Sequence, residues 1–467
     1  MVKKVFLCGI AGTGMSALAG LFKQQGYEVY GSDNRFYPPV DRLLAELQVT
    51  LFQGFSAGNI PAAVDFCVIG NAISRGNPEA EYILDQRLEY FSMAEALQLF
   101  FIKGKRSVVV AGSHGKTTTA SFVAHLLTVA GLSPGFFIGG KPANFPANYQ
   151  LAAGDFFVSE GDEYETAFFD RSAKFFKYRP DLLLLTALEH DHIDFYPTAE
   201  SYLQSFRNLV NQVPGRGRII FNADYEMARQ AVGRSFTPVV SYGRAGADHE
   251  IKDLLPVRGG YDFSLENSGR SRRFHSPLAG PYNVWNLTAG IILAQELGLP
   301  EQAVAEALAT FGGVERRLSQ LGRLQNTVFL EDFAHHPTAI TQVLAGLPDA
   351  YPGRKIVAVF EPRSWSLRRN YFQGLLPASL GRADEIIIKD VYEKEKIPAG
   401  ERLDIGALQA ELQAMGKQVH VFADYEEIKD FVGALDFSQK QVVILLSNGD
   451  VRAFTAWVKA LCEKKDD

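Results

Sequence analysis

The sequence predicts an α/β protein of three domains, each built on a largely parallel sheet. Three observations carry this. Short apolar runs alternate with longer amphipathic segments along nearly the whole chain. Most of these runs are continuously apolar, as in "VFLC", "FCVIG", "SVVVAG", "DFFVSE", "LLLLTAL", "KIVAVFEP", "EIIIKDV" and "VVILLSNG", as parallel strands covered on both faces should be. The length of 467 residues suits about three domains. Two joints divide the chain. One is the basic, glycine-containing "FFIKGKRS" at 100–107, and the other lies near "FGGVERRLSQLGRL" at 311–324. The expected domains are 1–103, 104–315 and 316–467. The polar, turn-rich stretch from about 236 to 275 reads as short antiparallel strands appended to the middle domain.

Composition narrows the function. Apolar residues make up 47% and charged residues 21%, with a net charge of −6. No overall positive field favours nucleic acid or an anionic membrane. Cys8, Cys67 and Cys462 are too few and too scattered for a disulfide framework or a clustered metal site. A reducing, cytoplasmic setting is expected. The N-terminal apolar run breaks at Gly9 after four residues, so it reads as a first strand, not a signal peptide. No stretch is long and apolar enough to span a bilayer.

In an α/β protein, ligands sit at the carboxyl ends of strands. The first such end is "VFLCGIAGTGM", followed by "EVYGSD" with Asp33 at a strand end. It approximates a dinucleotide fingerprint, but Ala11 stands at the middle glycine position. It points to a nucleotide diphosphate generally, a tight turn without ligand being the alternative.

The second is "SVVVAGSHGKTTT". The glycine turn and the helix start after it would present backbone N–H groups to an anion. Lys116 would reach the outer phosphates, and the Thr117 hydroxyl would ligate Mg2+. The common spacing would need glycine where Val110 stands. A dehydrogenase would account for the first glycine loop but not for this lysine-bearing one.

Two further strand ends are acidic. "SEGDEYE" brings Glu160, Asp162, Glu163 and Glu165, and "LEHDHID" brings Glu189, His190, Asp191, His192 and Asp194. Oxygen ligands beside a triphosphate favour Mg2+, with an occasional imidazole, over zinc. Downstream, Asn283 and Asn286 share a helix face and could read an adenine edge, with Tyr282 offering an aromatic face; capping by Asn283 is the structural alternative. Arg316 and Arg317 stand at the second joint, where a guanidinium could follow a moving phosphate. "EDFAHHPT" and "EPRSWSLRR" end two strands of the last domain. There Arg368 and Arg369 could also form a solvated helix face.

These motifs together resemble the Mur ligase family, in the family's order from Gly9 to about Gly449. The odd spacing at Val110 is then expected, because the family's loop resembles G-[ST]-x-G-K-[ST]. The resemblance implies a Rossmann-like UDP-binding domain, a central P-loop ATPase domain and a Rossmann-like C-terminal domain. It implies an ATP-dependent ligase of cell-wall biogenesis that joins a carboxylate to an amine, uses Mg2+, and is a monomer or weak dimer. It places the UDP-sugar at Gly9, Ala11, Gly12, Thr13, Gly14, Met15, Asp33 and Asn71. ATP would meet Gly112, Ser113, His114, Gly115, Lys116, Thr117 and Thr118, then Asn283, Asn286, Arg317 and Asp332. Lys116, Glu160, His192 and Arg317 would be catalytic, with Thr117, Glu160 and His192 on metal. The amine substrate would meet Phe333, His335, His336 and Arg363.

Two members share the opener "GIAGTGMS". One adds L-alanine to UDP-N-acetylmuramate; the other adds the recycled tripeptide L-alanyl-γ-D-glutamyl-meso-diaminopimelate. "GSDNRFYPP", "GNAISRGNP", "GGKPANF", "DEYETAFFDRSAKFFKY", "EPRSW" and "LLSNG" resemble the second. Ala187 and Tyr282 depart from a frequent asparagine and a frequent histidine. Arg207 falls near the place where some relatives carry a carbamylated lysine, so no carbamate is expected.

Overall fold

The computed structural model describes residues 2–36 and 40–463. The end of "GSDNRFYPP", at 37–39, lies outside these described residues. Each of the eight quoted apolar runs forms a strand, and the strands gather into three sheets.

The first sheet has five parallel strands in the spatial order Thr50–Gln53, Glu28–Asp33, Lys4–Cys8, Phe66–Ile69, Tyr90–Ser92. The helix Thr13–Gln24 starts from the first glycine loop and buries Met15 through Phe22.

The second sheet has ten strands. Its parallel centre runs Val239–Gly243, Arg218–Asn222, Leu182–Leu185, Arg106–Ala111, Phe156–Gly161, Gly135–Phe137. The polar stretch forms His249–Val257, Gly260–Asn267 and Arg270–Ser276, an antiparallel meander on one edge. The third sheet orders Ser319–Leu324, Thr327–Asp332, Gln441–Leu446, Lys355–Phe360, Glu385–Lys389, Gln418–Phe422, parallel except for its first strand.

The first two units share one apolar core, which runs from Val5 to Val232. Tyr149 lies on the helix Thr13–Gln24 so closely that a Cβ at Gly20 would sit 2.0 Å from its ring. The third sheet is covered by separate cores. The chain enters it through a tight linker, where the Gly312–Val314 stretch is tied back to Lys141–Asn144 and Gly313, Arg316 and Leu318 have φ of 80°, 62° and 48°. Among the described residues, no helix is long and apolar enough to cross a membrane. Cys8, Cys67 and Cys462 are all buried.

Candidate active site

The site grows from the strand Arg106–Ala111, central in its sheet and buried from Ser107 onward. The chain leaves it through Gly112 and turns at Gly115, whose φ of +85° makes it the left-handed start of the helix Lys116–Val129. A side chain at Gly115 is excluded twice over, by this conformation and because a Cβ would lie 2.2 Å from Asn286 Oδ1. Ser113 Oγ donates to the Glu189 carbonyl at 2.6 Å and accepts from the Glu189 N–H at 2.9 Å. The Thr186 hydroxyl donates to the His114 carbonyl. The loop is thus held by the next strand end.

Lys116 Nζ donates to the Gly112 carbonyl at 2.5 Å and to Glu163 Oε1 at 3.0 Å. Glu163 is fully buried. Burial works against both charges, yet each holds the other ionised: Lys116 is raised above and Glu163 lowered below its ordinary range. Thr117 Oγ1 donates to Glu160 Oε1 at 2.9 Å, and the Gly139 N–H to Glu160 Oε2 at 2.8 Å. The Gly139–Gly140 pair permits this close approach, since a Cβ at either would sit under 3.0 Å from Glu160 or Thr117. Burial raises Glu160 despite Lys116. Thr117 and Glu160 therefore present paired oxygens at a helix start, a donor set that suits a hard divalent cation.

The acidic cluster divides. Asp162 is claimed by Lys174 at 2.7 Å and Glu165 by Arg171 at 3.0 Å, and Asp194 is exposed. His192 is buried, in the left-handed region at φ +53°, and its Nε2 lies 3.0 Å from Glu163 Oε1. That nitrogen faces a carboxylate, so only Nδ1 remains for a metal. Glu163 also receives the Tyr202 hydroxyl at 3.4 Å. Its grip on lysine, histidine and tyrosine together is not separable in sequence from its acidic neighbours, and nothing in the helix Ala199–Val210 singles out Tyr202. Arg207, on the same helix, pairs with Glu200 at 2.7 Å and does not enter this cluster.

Asn286 Nδ2 donates to Asn283 Oδ1 at 2.9 Å, and Asn283 Nδ2 to the Ala279 carbonyl at 2.7 Å. Asn286 lies against the loop at Gly115, and Asn283 supports it from one turn earlier in the helix Tyr282–Glu296. Tyr282 instead packs against the third unit's core. Arg316 is held by Glu331 and by the carbonyls of Ser447 and Gly449. Arg317 has its guanidinium over Phe333, 5.2 Å from the ring centre, and exerts a field on Glu160 and Asp332. Asp332, 1% exposed, uses its two oxygens on the N–H groups of Leu318 and Ala334. In this arrangement it shapes the linker.

In the first unit, Gly9 turns at φ +81° and Asp33 accepts the Ala11 N–H at 2.9 Å. Gly12 precedes the helix, Thr13 and Gly14 open it, Met15 is buried and Asn71 is exposed. Gly14 faces Met93 and Phe137, so this loop opens toward the second unit.

In the third unit, Arg363 stacks on Tyr392, 3.3 Å from the ring centre, and lies 3.7 Å from Glu361. Glu361 is 2% exposed and also receives the Ser447 and Tyr425 hydroxyls. Arg368 and Arg369 do not form a solvated helix face: they belong to no helix, and they are paired with Glu393 and Glu401. His336 caps the helix Pro337–Ala350, its Nδ1 accepting the Thr338 N–H.

Burial pushes His335 down to about 4 and His336 to about 3. Both are neutral in the fold at pH 7. Below about pH 6.5 the unfolded chain takes up protons that the folded protein refuses until near pH 4. Stability is therefore expected to fall as pH drops from 6.5 to 4. Melting temperatures across that window should change less steeply in His335→Asn or His336→Asn than in the parent, and unchanged slopes would refute this account.

A glycine turn, a lysine paired with a buried glutamate, a threonine–glutamate oxygen pair and a linker arginine whose field reaches that glutamate define a three-unit α/β protein with a charged, anion-type helix start. The chain belongs to the Mur ligase family. It matches the Mur ligase family catalytic domain over residues 4–103, the Mur ligase middle domain over 110–294 and the Mur ligase glutamate ligase domain over 316–449. It is 37% identical over 387 residues to the UDP-N-acetylmuramate–L-alanyl-γ-D-glutamyl-meso-2,6-diaminoheptandioate ligase of Escherichia coli K12, covering 82% of this chain and 84% of that one. It is 32% identical over 453 residues to the UDP-N-acetylmuramate–L-alanine ligase of Aquifex aeolicus, covering 96% of each. A crystal structure of a murein peptide ligase from Psychrobacter arcticus superposes with a TM-score of 0.74 at 28% identity, over 98% of this chain and 99% of that one.

Proposed function

We propose that the protein is an ATP-dependent amide ligase that joins UDP-N-acetylmuramate to the tripeptide L-alanyl-γ-D-glutamyl-meso-diaminopimelate. The observation that carries the chemistry is the convergence of Lys116, Thr117 and Arg317 on Glu160, with Lys116 also bonded to Glu163. The higher identity to the tripeptide ligase of E. coli supports the choice of amine.

In this reading the first sheet is a Rossmann-like carrier of the UDP-sugar, on Gly9–Met15 and Asp33. The central unit is a P-loop ATPase domain, and domains divide at 103/104 and 315/316. Thr117 and Glu160 would hold Mg2+, with His192 Nδ1 available to a second ion. The metal supplies charge neutralisation on the transferring phosphoryl group.

The sugar's lactyl carboxylate attacks the γ-phosphorus of ATP, giving an acyl phosphate and ADP. Lys116 and Arg317 hold the phosphoryl oxygens, so catalysis is mainly positioning and charge neutralisation. The tripeptide's α-amine then attacks the acyl carbon, the amide bond forms and phosphate leaves. Packing of the third unit over the loop keeps water from the acyl phosphate.

Arg363 would take a peptide carboxylate. Its stacking on Tyr392 fixes the guanidinium plane, which suits bidentate recognition. With UDP-N-acetylmuramate and ATP, the tripeptide should support ADP formation far better than L-alanine at equal concentration. A tenfold preference for L-alanine in kcat/KM would replace this reading by the alanine-adding one.

A further inference from the structure

Amide formation needs a neutral amine and a place for its second proton, and none of the residues above takes that proton. We infer that His114 is the general base that receives it, held in position by Glu189. The inference rests on the ligase reading.

Its place in the structure supports this. His114 stands in the phosphate loop, two residues before Lys116, and its ring lies 4.7 Å from that of His336 in the third unit. It is therefore at the seam between the half-site that makes the acyl phosphate and the half-site that presents the amine. Its Nε2 lies 3.2 Å from Glu189 Oε2, and His114, Glu189 and His336 bring three ligand-type atoms within 4.8 Å of one another. Glu189 is itself locked to the loop through the two Ser113 hydrogen bonds.

The chemistry of each partner assigns the roles. Burial opposes the charge of Glu189, but hydrogen bonds from His114 and Thr338 hold it ionised, below its ordinary range. A carboxylate only accepts, so His114 Nε2 carries hydrogen and Nδ1 keeps the lone pair. His336 is the poorer base: burial disfavours its protonated form and the Thr338 N–H occupies its Nδ1. The groups that face His114 are Glu189 and Asp191 from its own unit and His336 from the third unit, with His335 behind His336. The two carboxylates would stabilise the imidazolium as it forms, while the two histidines stay neutral.

The step balances. The amine lone pair forms the C–N bond, the C–O bond to phosphate breaks with its electron pair leaving on phosphate, and the amine proton passes to His114 Nδ1. From there it goes to the departing phosphate or to water.

The test separates the two chemical steps in single-turnover quench-flow with UDP-N-acetylmuramate, radiolabelled ATP and tripeptide. ADP reports the first step and amide product the second. In His114→Gln the second step is expected to fall by about 10²–10⁴, far more than the first. Part of that loss should return between pH 7 and 9.5, as free amine becomes abundant. Glu189→Gln should show the same partition with a smaller loss, and it decides the matter if His114→Gln does not fold. Equal loss in both steps, or an unaffected second step, overturns the assignment. A parent enzyme that forms no ADP with any amine defeats the ligase reading instead, a result the variants cannot mimic.

Discussion

Lys116→Ala is expected to lower turnover by about 10²–10³, the usual loss when one preorganised charge contact to a reacting group is removed. The side chain is 14% exposed and its nitrogen already sits between Gly112 and Glu163, where loop anions would bind. The substitution also takes the lysine counter-charge from Glu163, which is completely buried, and leaves it to His192 and Tyr202. Breaking one side of a buried pair costs about 3–5 kcal/mol, so stability must be measured beside activity. The double variant Lys116→Ala/Glu163→Gln removes the stranded charge and should recover stability without recovering turnover. A folded Lys116→Ala enzyme that released phosphate at the parent rate would end the assignment of this loop to ATP.

Glu160→Gln should be nearly as damaging for a different reason. Its carboxylate receives the Thr117 hydroxyl and the Gly139 N–H, and the amide can keep one of these bonds while losing the charge that would hold Mg2+. Turnover should fall by at least about 10²-fold, by analogy with the loss of a single electrostatic contact to the reacting group. The Mg2+ concentration giving half-maximal rate should rise, while UDP-N-acetylmuramate should still bind, because its proposed site lies on the first unit. Normal activity at the parent's Mg2+ requirement would falsify the metal role of this residue.

The strands were legible in the sequence because continuous apolar runs leave little choice of element. "VVILLSNG" and "LLLLTAL" can only be interior strands once they are known to be short. The glycine turn into the helix Lys116–Val129 is legible because glycine, lysine and threonine occur there in a fixed local order. What the sequence does not display is which acid serves which cation. Glu160 and Glu163 lie three residues apart, yet one takes Thr117 and the other takes Lys116, His192 and Tyr202. That division depends on how a strand end is set against a helix start some 40 residues away. Arg368 and Arg369 look like a solvated pair for the same reason. Their partners, Tyr392, Glu393 and Glu401, arrive from a later loop.

The core shared by the first two units, which holds residues between Val5 and Val232, has a mechanical meaning. With Tyr149 wedged against Gly20, the first two units cannot slide or rotate against each other without opening apolar surface. The third unit has its own cores and meets the others through few side-chain hydrogen bonds, such as Tyr371 with His190, Gln342 with Tyr225 and Tyr261 with Asp349. Relative motion is therefore concentrated at one joint, the 311–318 segment with its left-handed residues. The molecule is built as an anvil and a single arm: the glycine loops after Cys8 and Ala111 belong to one block, and the third sheet is joined to it at that one segment.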